Sequence, residues 1–293
     1  MFLESFTLPS AIERELVINN EKRTCYTSFY PYTVFGPWEM PTFTFAPVTI
    51  FYGGNGSGKS TILNVLAETI GIERKTPGNT SPFFDRYVSQ CRVELRYGCR
   101  AVPRTSRFIT SDDVFDYLLN LRGLNQGIDR RREELYDEFL SAKHGKFQLQ
   151  SLDDYEELKR TVDARRLTQS QYVKSRMNAG AQEKSNGESA MTFFTQLIDE
   201  HALYLLDEPE NSLSATKQAE LRDFLAASAR AYDCQLVIAT HSPFLLSMPG
   251  ARIYDLDSEG APRRKWTELE NVRAYRKLFR EHANEFLEDD EME

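Results

Sequence analysis

Long hydrophobic runs are missing from this sequence of 293 residues. None approaches the roughly 20 consecutive apolar residues that a membrane-spanning helix needs. The first residues also lack a basic segment followed by an apolar one, so we expect no secretory signal. These two absences argue against a membrane-spanning or secreted protein. We therefore expect a cytoplasmic protein with no membrane partner.

Cysteine and histidine are scarce, with four residues of each. No two cysteines have the C-x-x-C spacing, and no cluster of histidines and cysteines has the spacing of zinc ligands. A zinc module and a disulfide framework are therefore not indicated. We expect Cys25, Cys91, Cys99 and Cys234 to be reduced thiols, as in cytoplasmic proteins.

Positive charge is also in deficit, because 36 lysines and arginines face 44 acidic residues and leave a formal net charge of −8. That balance argues against a general affinity for nucleic acid. Two local basic strips remain, Arg130–Arg132 and Arg263–Lys265. A solvated helix face or loop is the favoured explanation of such triplets, and a DNA partner stays open.

One stretch dominates what the sequence does contain. Residues 53–60, GGNGSGKS, match the pattern G-x-x-x-x-G-K-[ST]. Residues 49–52 before it are typical of a buried strand, and residues 61–67 after it of a helix, which we expect to end near Gly71. Strand, glycine loop and helix form the context of a nucleotide phosphate site, whereas a chance glycine-rich turn would not need these flanks.

Each part of this phosphate loop has a predicted role. We expect backbone N–H groups of the loop to point at the phosphates, helped by the positive end of the following helix. Lys59 should reach the β- and γ-phosphates, and the Ser60 hydroxyl should ligate Mg²⁺. The predicted nucleotide-binding residues are Asn55, Gly56, Ser57, Gly58, Lys59, Ser60 and Thr61.

An acidic pair follows a second predicted buried strand, residues 203–206. Acidic residues at the carboxyl end of a central strand lie where α/β sheets bind ligands. We predict that Asp207 holds Mg²⁺ and that Glu208, one residue further on, polarises an attacking water as a general base.

A histidine follows the next predicted strand, residues 236–239. We predict that His241 hydrogen-bonds the γ-phosphate and the attacking water, because it leaves a strand tip next to the Asp-Glu strand. The other histidines, His144, His201 and His282, lack such a context and are predicted to lie on the surface.

Strands that alternate with helices predict an α/β fold with a mostly parallel central sheet. Aromatic-rich segments at 26–30 and 42–45 predict an N-terminal antiparallel β layer, and strands are also predicted at 93–97, 107–110 and 252–256. Residues 72–85 have the composition of an exposed loop. Charged stretches with apolar residues three or four apart predict a helical subdomain between residues 113 and 183. Tyr32 or Phe35 could stack on an adenine, although filling the core is the favoured interpretation.

Five segments taken together resemble the ABC-class P-loop ATPases. They are residues 53–61, 185–188 (SNGE), 205–210 (LLDEPE), 211–214 (NSLS) and 240–243 (THSP). The resemblance covers residues 40–70 and 184–258, and it is closest to a stand-alone, soluble "predicted ATPase" branch related to DNA-repair and chromosome-structuring (SMC-like) ATPases.

The resemblance implies a homodimer in which two heads enclose two ATP molecules head to tail. Residues 185–188 would be the signature of this class, in which Ser185, Gly187 and Glu188 contact the nucleotide held by the opposite subunit. Ser212 and Ser214 would lie at the dimer seam. A helix cap with glutamate as capping partner is the alternative explanation of residues 185–188.

The sequence departs from the transporter members of this class. Lys184 and Asn186 stand where transporter sequences carry leucine and glycine, which weakens a transporter interpretation. No clear glutamine loop is present, and Gln90 or Asp112 could take its place. We expect four parts: an N-terminal lobe with the phosphate loop (1–112), a helical subdomain ending in the signature (113–186), a C-terminal lobe with the Asp-Glu strand and His241 (187–287), and an acidic tail (288–293).

Two functions fit these features. The first is an ATPase that dimerises around ATP and switches a protein or DNA partner. The second is an ATP-gated scaffold with little turnover that holds an effector such as a nuclease, toxin or repair protein. A transporter subunit and a P-loop kinase fit less well, and a role in phage defence or DNA repair rests on analogy of fold alone.

Overall fold

The computed structural model describes residues 1–22, 28–144, 162–163, 166, 169–176, 186–211 and 213–285. The strands in these ranges form two sheets. They are β1 (Leu3–Thr7), β2 (Phe43–Thr44), β3 (Val48–Tyr52), β4 (Arg92–Leu95), β5 (Arg107–Thr110), β6 (Leu203–Asp207), β7 (Gln235–Thr240), β8 (Arg252–Asp255) and β9 (Arg263–Arg264).

The described helices connect and cover these strands. They are α1 (Ala11–Asn20), α2 (Lys59–Ile70), α3 (Phe84–Gln90), α4 (Ser111–His144), α5 (Gln169–Arg176), α6 (Asn186–Leu197), α7 (Ala215–Ala231), α8 (Pro243–Leu246) and α9 (Glu270–Glu281), with a short 3₁₀ turn at Trp266–Glu268.

The larger sheet has six strands in the order β5-β6-β7-β3-β8-β9. All its pairs are parallel except β8 with β9. Every residue of β3, β6 and β7 is buried, as expected for parallel strands covered on both faces. The register pairs Tyr52 with Thr240 and Asp207 with Ala239, so these three strands end at the same edge of the sheet.

The smaller sheet is antiparallel, in the order β2-β1-β4. The predicted mostly parallel sheet and the N-terminal antiparallel layer are therefore both confirmed. The strand predicted at 26–30 is wrong for residues 28–30, which form no strand, and residues 26–27 lie outside the described ranges. Phe29 instead stacks on Phe83, with ring centroids 5.0 Å apart, so the aromatic composition of this segment reflects packing.

Three helices and two strands were missed, namely α1, α3, α8, β1 and β9. The strand β1 and helix α1 precede the first predicted element, and α3 begins at Phe84 inside the loop predicted for residues 72–85. Phe83 and Phe84 are both buried, and this burial overrides the loop-like composition around them. The prediction that α2 ends near Gly71 is confirmed. Gly71 has φ +72° and donates its N–H to carbonyls of the last turn, as a left-handed helix cap does.

The chain divides into two compact units, residues 1–115 with 186–293, and residues 116–185. In the second unit, Phe139 packs edge-on against Tyr172 with centroids 5.4 Å apart, and the Tyr172 hydroxyl donates to Glu138. Residues 145–161 of the predicted helical subdomain lie outside the described residues. The four-part division and the acidic tail stay predictions. Across the ranges that the structure describes, no helix combines the length and the apolar character needed to cross a bilayer.

Candidate functional site

The phosphate loop connects β3 to α2 at the edge where β3, β6 and β7 end. Gly56 and Gly58 have φ of +84° and +95°, which favours glycine at both positions. A Cβ at Gly58 would lie 2.6 Å from Phe35, whereas a Cβ at Gly56 would meet no atom within 4 Å. The loop is therefore packed against Phe35 on one side and open at Gly56, where an anion can approach.

Lys59 is buried in spite of its charge, with 4% of its surface exposed. Its Nζ donates to the carbonyl oxygens of Gly53 at 2.8 Å and Gly54 at 2.9 Å. The same Nζ lies 3.4 Å from Glu208 Oε1, which supplies the opposite charge. The ammonium group thus lies across the mouth of the loop, within reach of a ligand bound there.

Ser60 and Asp207 meet across α2 and β6. The Ser60 hydroxyl donates to Asp207 Oδ1 at 2.9 Å. Burial raises the pKa of Asp207 to about 6, and the hydrogen bond from Ser60 and the positive charge of Lys59 oppose this rise. A hydroxyl and a carboxylate oxygen placed side by side are hard ligands that fit Mg²⁺.

Glu208 follows directly after β6 with a left-handed backbone, φ +48°. Such a conformation is uncommon for a residue with a side chain and occurs at functional sites. The carboxylate is partly exposed, and Oε2 accepts a hydrogen bond from Asn211 Nδ2 at 3.1 Å. Oε1 lies between Lys59 Nζ and His241 Nδ1, at 3.4 and 3.7 Å.

His241 leaves the end of β7 with its imidazole half-exposed. Its Nδ1 is 3.5 Å from Glu210 Oε1 as well as 3.7 Å from Glu208 Oε1. The structure therefore brings Lys59, Glu208 and His241 together at one edge of the sheet. His201 and His282 are exposed and pair with Asp233 and Glu285, in line with the prediction of surface positions.

The predicted signature is only partly described. Ser185 and Ser212 lie outside the described residues, and Asn186 begins α6, which places Gly187 and Glu188 in its first turn. Ser214 caps α7, and its hydroxyl accepts from the Lys217 N–H at 3.4 Å. That these residues contact the nucleotide or seam of a second copy stays a prediction.

The two candidates for the glutamine loop lie in different places. Gln90 ends α3 and accepts a hydrogen bond from the Tyr32 hydroxyl at 2.7 Å. Asp112 lies in the first turn of α4, directly after β5, whose Thr110 is in register with Asp207 of β6. Only Asp112 is therefore placed next to the end of the Asp-Glu strand.

Sequence reasoning missed several polar contacts of this region. Asp113, next to Asp112, accepts from the backbone and hydroxyl of Thr110 and from the Thr76 hydroxyl. The spacing T-x-x-D at 110–113 is a capping signal that could have revealed this residue. Asp257 accepts a hydrogen bond from the Gly54 N–H, at 3.0 and 2.9 Å to its two oxygens. No local pattern predicts that contact, because the residues are 203 positions apart.

The aromatic residues considered for adenine stacking belong to the core. Tyr32 and Phe35 are both buried, at 1% and 6% exposure. Tyr32 packs edge-on against Tyr87, and Phe35 supports the phosphate loop beneath Gly58. A separate cavity of about 500 Å³ lies along β5, lined among others by Ile72, Phe108 and Phe193. It contains none of the predicted nucleotide residues.

Part of the chain matches the model of one known protein family. Residues 103–247, just under half of the chain, match the model of the family described as "AAA domain, putative AbiEii toxin, Type IV TA system". That stretch contains the Asp-Glu strand and His241. No curated protein matches the chain.

Among solved structures, the chain is similar to a nucleotide-free ATP-binding cassette from an ABC transporter, with 13% identity, a TM-score of 0.43, and coverage of 94% of this chain and 96% of that one. It is also similar to a dimeric ATP-binding cassette in a post-hydrolysis state with bound ADP and Pi, with 14% identity, a TM-score of 0.36, and coverage of 78% and 90%. Likenesses at this level establish no function by themselves.

Three motifs of the chain meet at one place. A complete phosphate loop follows β3, an Asp-Glu pair follows β6, and a histidine follows β7, all at one edge of a mostly parallel sheet. The family match covers the second and third of these elements. The match to the AAA-domain model and the motifs at this edge of the sheet thus support a resemblance to the P-loop ATPases of the ABC class.

Proposed function

We propose that this protein binds ATP with Mg²⁺ at the phosphate loop and hydrolyses it. The backbone of residues 55–58 and the Lys59 ammonium would hold the phosphates. Ser60 Oγ and Asp207 Oδ1, now 2.9 Å apart, would ligate the metal. Bound Mg²⁺ would supply positive charge against the charge that develops on the phosphates.

Glu208 is the proposed general base. Its carboxylate is partly exposed, so water can reach it, while the neighbouring Asp207 is buried against Ser60. His241 would orient the attacking water and the γ-phosphate from the adjacent strand. In the structure Lys59 and His241 both flank Glu208 Oε1. We expect phosphate to draw Lys59 away and leave the carboxylate accessible to water.

Head-to-tail dimerisation around two ATP molecules is the second part of the proposal. It rests on the resemblance of residues 185–188 and 211–214 to the ABC class. The first turn of α6 adds a physical argument, because a helix N-terminus carries partial positive charge that favours a phosphate. ATP binding and hydrolysis would then close and open the dimer, which acts as a cytoplasmic switch on a protein effector or DNA in a process such as phage defence or DNA repair.

The observation that carries the proposal is the convergence of Lys59, Glu208 and His241 on one point. Steady-state release of phosphate from ATP with Mg²⁺ tests it. We expect the wild-type protein to turn over and Glu208→Gln to lose at least about 10²-fold in kcat, because the amide cannot accept a proton. ATP affinity of Glu208→Gln should be retained.

Lys59→Ala serves as the control that fails at an earlier step. It should lose ATP binding, since the buried ammonium lies against the Gly53 and Gly54 carbonyls, within reach of a phosphate bound in the loop. A wild-type protein that binds ATP without measurable turnover would instead favour the ATP-gated scaffold. A Lys59→Ala protein that binds ATP as tightly as wild type would show that the phosphates lie elsewhere.

A further inference from the structure

Glu210 is a buried acidic residue that the proposed chemistry does not use. It lies two positions after Glu208, yet only 4% of it is exposed, against 24% for the Glu208 side chain. A carboxylate so enclosed cannot exchange protons with an attacking water. Its place in the site therefore needs a different explanation from that of Glu208.

Three donors converge on a single oxygen of Glu210. Oε1 accepts from the Thr240 hydroxyl, from the His241 N–H at 3.1 Å and from the Ser242 N–H at 3.2 Å. These donors make up the turn that leads from β7 into α8. The carboxylate thus fixes the backbone on which the His241 side chain is carried.

The His241 backbone is also held from the other side. Asn271, in the first turn of α9, donates from Nδ2 to the His241 carbonyl at 2.6 Å. Both polar backbone groups of His241 are therefore bonded to side chains from other elements. The imidazole Nδ1 lies 3.5 Å from Glu210 Oε1 itself and 3.7 Å from Glu208 Oε1.

Keeping Glu210 at this position is costly. Its second oxygen, Oε2, is buried, and no hydrogen-bond partner for it occurs within the described part of the chain. Burial raises the pKa of Glu210, and the hydrogen bonds from the Thr240 hydroxyl and the His241 N–H oppose this rise. Burying a charged or half-satisfied group destabilises a fold, and such costs occur at sites that need fixed geometry.

We propose that Glu210 is a positioning residue that fixes the turn 240–242 so that the His241 imidazole faces Glu208 and the bound nucleotide. The proposal rests on the proposed ATPase function. It assigns Glu210 an effect that acts through His241, with no contact to the nucleotide itself.

A double-mutant cycle tests this assignment. Glu210→Ala should lower kcat for ATP by about 10²-fold with KM changed less than about threefold, because a misplaced group slows chemistry without removing phosphate contacts. Glu210→Gln keeps an acceptor oxygen for the three donors and should retain kcat within about fivefold. In a His241→Ala background, either substitution should change kcat by less than about threefold, since residues acting as a unit are not additive.

Hydrogen exchange of residues 240–246 gives a readout that does not depend on turnover. Glu210→Ala should accelerate exchange of the His241 and Ser242 amides, and Glu210→Gln should leave them protected. If Glu210→Ala lowers kcat equally in both backgrounds, or leaves exchange unchanged, the assignment is wrong even though the ATPase proposal stands. If wild type shows no turnover, the ATPase proposal fails, and the exchange measurement still decides whether Glu210 holds this turn.

Discussion

The site has two sides that differ in chemistry, the phosphate loop after β3 and the polar side chains after β6 and β7. The side after β3 is backbone and glycine, with Gly56 and Gly58 in left-handed conformations and one buried cation, Lys59. The side after β6 and β7 contains three acidic side chains within four residues, Asp207, Glu208 and Glu210. Each of them accepts hydrogen bonds from neighbouring polar groups. The first side has the charge to hold an anion, and the second has the groups to move a proton.

This difference determines how each side responds to change. A glycine loop depends on backbone shape, so an added methyl group can destabilise it in two ways. It can collide with a neighbouring side chain, or it can strain a positive φ. The acidic side depends on charge in a buried setting, so it responds to pH and to loss of a carboxylate. The following predictions test each side by its own kind of perturbation.

Gly58→Ala should destabilise the protein more than Gly56→Ala does. Its φ of +95° is strained for alanine, and the new Cβ would lie 2.6 Å from Phe35. Together these should lower the free energy of unfolding by about 2–3 kcal/mol and weaken ATP binding. Urea unfolding and equilibrium titration with ATP measure the two effects.

Gly56→Ala is the matched control. It has a similar φ of +84°, but its Cβ would meet nothing within 4 Å. We expect Gly56→Ala to lower the free energy of unfolding by about 1–2 kcal/mol, from the backbone conformation alone. Equal losses at the two glycines would contradict the idea that Phe35 supports the loop.

The stability of the metal-free protein should depend on pH because Asp207 on the acidic side is buried. The pKa of Asp207 is raised from 3.8 to about 6 in the folded state, so the folded protein binds a proton more tightly than the unfolded chain. The group therefore destabilises the fold progressively as pH rises from about 4 through 6. Between pH 5 and pH 7 this should remove about 1 kcal/mol of stability.

Asp207→Asn isolates that contribution, because it removes the titrating group and keeps the side-chain size. With EDTA present, the stability of the variant relative to wild type should be about 1 kcal/mol higher at pH 7 than at pH 5. A difference that does not change with pH, or that changes in the opposite sense, would contradict the burial of Asp207 against Ser60.

The glycine side could be predicted from the sequence almost completely, whereas the acidic side could be predicted only in part. Residues 53–60 follow one another, and their spacing encodes the loop. Asp207 and Glu208 end an apolar strand, which is also a local pattern. Glu210 and Asn271 act through contacts with residues 240–242, some 30 positions distant from each, and no local pattern reports such contacts.

The errors in the predicted fold have a similar cause. The segment at 28–30 has the composition of a strand, but its rings stack on Phe83 and Phe84 at the start of α3, and its backbone joins no sheet. Conversely, β1 carries few strand signals and is held by the Gln235 side chain, whose oxygen accepts from the N–H groups of Phe2 and Leu3 at 2.7 Å. Tertiary contacts overrode local propensity in both segments.

The central claim is that ATP is enclosed by two copies of this chain, with the glycine side of one and the signature of the other. Size-exclusion chromatography with light scattering on Glu208→Gln, with and without ATP and Mg²⁺, tests it most directly. The account predicts a dimer that forms only with ATP and Mg²⁺ and does not form in Lys59→Ala. A Glu208→Gln protein that binds ATP yet stays monomeric at every concentration would contradict it.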